Sequence, residues 1–140
     1  MKIKKSEKTI LRDRLDKKFS LLIRQRDKRI CQKCGKELPS ASCAHIFTRS
    51  INATRWYMRN ALTLCYYCHI GGNLSAHRDP VGFTNFVKAK LGYKYEELEL
   101  TAIKTVKVNK EFYENIEHYL DEVATDIKNG GEGEVSYPYK

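Results

Sequence analysis

Cys31-Gln32-Lys33-Cys34-Gly35 and, after an interval of 30 residues between Cys34 and Cys65, Cys65-Tyr66-Tyr67-Cys68-His69 decide how this chain is read. Two thiolates two residues apart can grip one ion from a tight turn, and two such pairs complete a closed tetrahedral zinc site. Gly35, directly after Cys34, suits the left-handed backbone of a metal knuckle. Disulfides are the competing use. The chain has 5 Cys, an odd number, opens on lysines, and shows no secretory signal or membrane-length apolar run. A reducing cytosol is therefore expected, and there paired CxxC motifs bind metal. Cys31, Cys34, Cys65 and Cys68 are the expected structural zinc ligands. Cys43 reads as a small buried residue rather than a fifth ligand.

Charge names the class of partner. In 140 residues the formal net charge is +9, and it is unevenly spread. Residues 1–30 carry 12 basic and 4 acidic side chains, residues 31–110 carry 12 and 5, and residues 111–140 carry 2 and 8. Basic surface thus accompanies the metal motif, while the acidity is confined to the end. Such a patch releases counterions from nucleic acid and supplies sequence-independent affinity. The bland alternative is a merely solvated basic face.

Hydrophobic spacing places the elements. The first 29 residues read as one helix, capped by Ser6, with Leu11, Leu15, Phe19, Leu22 and Ile23 on one face. Ser42 to Phe47 is strand-like, Ser50 to Arg59 reads as a loop, and Ala61 to Leu64 returns as a second strand. A helix is expected from about Tyr66, another from Pro80 to Leu91 ended by Gly92, a short one from Tyr95 to Ile103, and a long one from Lys110 to Lys128. Trp56 is expected to anchor the loop in the core, His118 to be structural or solvated, and the Gly-rich residues 129–140 to be mobile. No internal repeat is present.

The interval between the CxxC pairs exceeds the 15–20 residues or so of a plain zinc ribbon. A hairpin held at both ends by one zinc, followed by a helix, brings His45, Asn60 and His69 close together. One-metal phosphodiester hydrolysis needs such a set. A neutral imidazole takes a proton from water, a divalent cation stabilises charge on phosphate and leaving oxygen, and an amide fixes the imidazole.

Cys31-x-x-Cys34, Ala44-His45 and Asn60-Ala61-Leu62-Thr63-Leu64-Cys65-x-x-Cys68-His69 resemble the HNH, or ββα-metal, nuclease motif. Arg26-Asp27, the run from His45 to Ser50, Ala53-Thr54-Arg55-Trp56, Gly72-Asn73 and the segment Phe86 to Leu98 are similar to phage recombination endonucleases of the NinG (Rap) type. The resemblance spans roughly residues 20 to 100. It implies His45 as general base, Asn60 as the residue that orients the base or helps hold the metal, and His69 as a ligand of a catalytic Mg²⁺ or similar cation. His77 is either a second ligand or displaced from that role by the Gly71-Gly72-Asn73 insertion. Arg49 and Arg55 are either phosphate contacts or structural ion-pair partners. The resemblance departs at Ala44, where many members carry Asp or His as a metal ligand.

The expectation is therefore an α+β fold: a zinc-stapled ββα-metal core over residues 31–78, a basic helix over 1–30, a helical part of the same domain over 79–128 and a tail over 129–140. The expected activity is metal-dependent endonucleolytic hydrolysis of DNA, duplex or branched. Junction cleavage would call for a homodimer with paired sites. The competing reading is a non-catalytic, zinc-containing nucleic-acid-binding module.

Overall fold

The computed structural model describes residues 6–140. Its elements are helix α1 (Glu7–Arg26), strand β1 (Ser42–His45), strand β2 (Ala61–Leu64), and helices α2 (Pro80–Leu91), α3 (Tyr93–Ala102) and α4 (Lys110–Lys128). A 3-10 turn (Met58–Asn60) leads into β2, and a π-helical turn (Tyr67–Gly71) leaves it. The fold is mixed α and β, and no described helix is long and apolar enough to cross a membrane.

α1 starts where the Ser6 hydroxyl accepts the Thr9 amide at 3.2 Å. Residues 1–5 of the expected helix lie outside the described residues. The helix stops at Arg26 rather than running to residue 29, and Lys28 and Arg29 adopt positive φ of 55° and 58°. Long-range bonding at this point explains the stop. The Asp27 carboxylate accepts from Arg26 and from the Thr63 amide of β2, while Arg26 donates to the carbonyls of Met58 and Ala61. The pair thus latches the end of α1 onto β2.

β1 and β2 are antiparallel, with Ser42 opposite Leu64 and His45 opposite Ala61. Thr63 turns its backbone away from β1, its amide going to Asp27 and its carbonyl accepting the Gln32 amide at 2.9 Å. The first knuckle therefore covers an edge that would otherwise be open. β1 ends at His45, two residues earlier than expected: the Ile46 amide still reaches the Asn60 carbonyl at 2.7 Å, but the Phe47 amide goes to the Asn60 side chain at 2.8 Å.

Alternation along β1 divides two cores. Cys43 packs towards Leu15, Phe19, Ile23 and the apolar face of α4, whereas Ala44 packs with Cys31, Leu64, Cys65, Phe83 and Val87. α4 buries Phe112, Ile116, Tyr119, Leu120 and Val123. It runs in the same direction as α1: Arg14 pairs with Glu117, and one turn on, Lys18 pairs with Asp121.

Residues 129–140 are docked, contrary to the mobile tail expected from their glycines. Tyr137 is 3% exposed, stacks on Tyr57 at 4.1 Å, and donates its hydroxyl to the Ala53 carbonyl at 2.8 Å. Tyr139 packs on Phe112, and the Gly133 amide donates to Asp126. The burial of these rings outweighs the entropy of ordering the segment.

Candidate functional site

Each knuckle is shaped by its own backbone. The Cys34 amide points at Cys31 Sγ (3.5 Å) and the Cys68 amide at Cys65 Sγ (3.4 Å). Gly35 takes φ of 78°, in the left-handed region expected of it. β2 runs directly into the second knuckle and is bonded through Gln32 to the first, so the hairpin brings both together. The four Sγ atoms lie within 4.8 Å of one another. Thiolates about 2.3 Å from a tetrahedral zinc are about 3.8 Å apart, and Cys34 and Cys65 are separated by 3.8 Å. The cluster can hold a zinc ion.

The ionisation of the thiols points the same way. Burial pushes the Cys31 thiol up, but amide donors from Cys34, Cys65 and Lys33 outweigh it and bring the pKa down to about 6. Cys68 is pushed well above its ordinary range by burial and by its thiol neighbours. The cluster ionises fully only if a cation offsets the repulsion. Cys43 stands apart, and burial raises its pKa to about 12, which makes it an inert thiol.

Beside this staple lies a cleft of about 590 Å³, lined by α1, β1, the π-helical turn and the start of α2. His45, His69 and His77 all line it, with Ala44 in its wall and Arg49 among its lining residues. His45 Nε2 lies 3.0 Å from the Arg55 carbonyl. A carbonyl only accepts, so Nε2 carries the proton and Nδ1 keeps its lone pair. Burial holds the His45 pKa below its ordinary 6.5 despite the Arg55 carbonyl, with Arg49 adding to the effect. The ring is therefore a neutral base at pH 7.

The same reasoning assigns His69. Ser42 Oγ donates its single proton to the Leu64 carbonyl at 3.1 Å and so accepts from His69 Nδ1 at 2.7 Å. That leaves the lone pair on Nε2, which faces His77 Nε2 at 3.1 Å. Two imidazole nitrogens on one metal, each about 2.1 Å away, lie roughly 3.0–3.4 Å apart. The two histidines therefore fit as ligands of one cation, with Ser42 behind His69 fixing its tautomer. The Gly71-Gly72-Asn73 insertion does not separate them. The chain loops out and returns, with the Ala76 amide on the Cys68 carbonyl and the His77 amide on the His69 carbonyl.

Asn60 and Arg55 turn inward. Asn60 is fully buried, and its side-chain hydrogen bonds go to the loop rather than to a histidine. Its amide donates to the carbonyls of Phe47 and Thr54, and its oxygen accepts the Phe47 amide. It acts on His45 only by holding the loop whose Arg55 carbonyl orients the imidazole. Arg55 is 8% exposed and gives both edges of its guanidinium away: Nε and Nη2 to Asp16, and Nη1 to the Arg49 carbonyl. It is thus a loop anchor rather than a phosphate contact. Asp16 also accepts the Trp56 indole N–H at 2.9 Å, so one carboxylate on α1 pins the whole loop. Neither Asp16 nor Ser42 was expected from sequence, where only their later partners would reveal them. Asp16→Ala would leave the Arg55 charge buried without its partner and is expected to destabilise the chain by about 3–5 kcal/mol. Urea denaturation checks this, and a midpoint within error of the unmodified chain would remove the anchor role. Arg49 remains exposed at the cleft.

Comparison with protein-family models, with curated proteins and with solved structures returned no match.

Proposed function

We propose that this chain is a metal-dependent DNA endonuclease of the HNH, or ββα-metal, type, hydrolysing phosphodiester bonds in branched or junction DNA of the kind that arises in phage recombination. The observation that carries the reading is the convergence on one cleft of a neutral, carbonyl-oriented His45 and the facing pair His69 and His77. Binding nucleic acid requires no such set.

In this reading His45 Nδ1 accepts the proton of the attacking water, and the Arg55 carbonyl steadies the imidazolium that forms. Arg49 meets the phosphate at the edge of the cleft. Ser42 keeps His69 in the tautomer whose Nε2 lone pair points outward. Asn60 and Asp16 position the loop and touch no reacting atom. A divalent cation such as Mg²⁺, held by His69 and His77, would supply neutralisation of charge on the phosphate and the leaving oxygen. Ala44 adds no ligand, so water and substrate oxygens would complete the coordination. Two-strand cutting at a junction would require two copies of the chain.

The test is cleavage of supercoiled plasmid and of a four-way junction by zinc-loaded protein, with and without added Mg²⁺ or Mn²⁺. Nicks that require the added cation are expected, with the junction preferred. The rival reading, a non-catalytic zinc module that binds nucleic acid, draws on the buried, ligand-free Ala44. Binding of both substrates without cutting under any divalent cation would replace the first reading with the second.

A further inference from the structure

The turn that carries His69 also carries side chains for which the proposed chemistry has no use. Tyr66 and Tyr67 are each 68% exposed, Ile70 is 42% exposed, and Leu74, on the loop that follows, is 68% exposed. Four large apolar side chains within nine residues, left in solvent beside a cleft, mark a surface that meets something. Ile70 lines the cleft itself, so the patch is continuous with the proposed site.

The two rings are exposed but placed. A Cβ on Gly71 would come within 2.6 Å of Tyr66 Cε1, and one on Gly72 within 2.9 Å of Tyr67 Cε1. The glycine pair therefore gives the rings a flat bed, and the Gly72 amide closes the turn on the Tyr67 carbonyl at 2.8 Å. The surroundings are cationic. Between Glu37 and Asp79 the chain has no acidic residue. Lys33 donates to the Leu74 carbonyl at 2.7 Å and Arg78 to the Asn73 side chain, which puts both cations on the loop that follows the rings. Asp79 is occupied as the cap of α2.

Exposed, pre-placed aromatic rings followed by a loop that holds two cations match an unstacked nucleobase and its phosphates. We propose that Tyr66 and Tyr67 form a platform on which unpaired bases of a DNA strand stack, while Lys33 and Arg78 face the adjoining phosphates. The inference rests on the nucleic-acid reading above and sharpens its substrate class. An intact duplex keeps its bases stacked on each other, whereas a flap, gap or junction offers free base faces, so the platform selects the latter.

The experiment measures binding alone, by fluorescence anisotropy, with the full zinc-loaded chain and no added divalent cation. The probes are a single-stranded oligonucleotide, a gapped duplex and a blunt duplex. Tyr66→Ala/Tyr67→Ala should weaken single-stranded and gapped binding by about 10- to 100-fold and blunt-duplex binding by no more than about two-fold. Tyr66→Phe/Tyr67→Phe, which keeps the rings, should bind all three probes as the unmodified chain does. An equal loss on every probe, no loss on any, or failure of the phenylalanine pair to restore binding would overturn the platform. So would sedimentation showing that the alanine pair turns a dimer into a monomer, which would assign the patch to self-association. A chain that stacks bases but never cuts would sink the nuclease reading only, and one that cuts without this selectivity would sink the platform only.

Discussion

His45→Ala should lower cation-dependent DNA cleavage by about 10²- to 10⁴-fold, the usual worth of a positioned general base. Zinc content and melting temperature should stay where they were. The imidazole contributes one hydrogen bond, to the Arg55 carbonyl, and a ring contact with Phe19 at 5.4 Å. The loop itself is held by Asn60 and Asp16, so the substitution removes the base without releasing its support. The pH profile gives the base a second signature. Burial lowers the folded pKa below 6.5, so His45 stays unprotonated across neutral pH, and cleavage should fall only on the acid side of that value. The sign for stability agrees: the unfolded imidazole takes up its proton first as pH falls, so acidification below about 6.5 favours the unfolded chain. Cleavage by His45→Ala at the unmodified rate would assign the base elsewhere.

Cys65→Ser should have the largest effect on stability. Structural zinc contributes apparent binding energies of about 10–16 kcal/mol in small zinc-dependent folds, comparable with the entire stability of a typical domain. Here Cys31, Cys65 and Cys68 are also part of the second core, packed with Leu62, Leu64, Phe83 and Val87. Losing one thiolate therefore loosens the metal and the packing together. Each kilocalorie lost lowers the melting temperature of a chain this size by roughly 3–4 °C, and a fall of more than about 10 °C is expected, with sub-stoichiometric zinc by atomic absorption. Cys43→Ser should leave zinc content unchanged, since that thiol lies outside the cluster. A Cys65→Ser chain with an unchanged melting curve and full zinc would remove the staple.

What was legible in the sequence is what neighbouring residues decide among themselves. The CxxC turns, the Ser6 cap, the return strand from Ala61 to Leu64 and the amphipathic stripe of α4 all follow from spacing over a few positions. The meeting of His69 with His77 was half visible, because its outcome depends on how the Gly71-Gly72-Asn73 loop returns. Asn60 and Arg55 stood out in the sequence, but the structure turns both inward, and of the two readings of Arg55 it shows the ion pair. Both are polar residues drawn into the interior by partners on other elements, and Arg55 finds Asp16 across 39 residues of chain. The tail was misread for a related reason. Its tyrosines stand among glycines and glutamates with no periodicity, and only the waiting rings of Tyr57 and Tyr119 show that they are buried.

The pairing of Arg14 with Glu117 and Lys18 with Asp121 has a consequence beyond holding α4 to α1. These contacts lay the acidic helix along the basic one, and no residue of α4 lines the cleft. Arg14 and Lys18 are thereby neutralised by carboxylates of the same chain. The formal net charge of +9 therefore overstates what α1 can offer a polyanion. Pairs this exposed weaken as salt screens them.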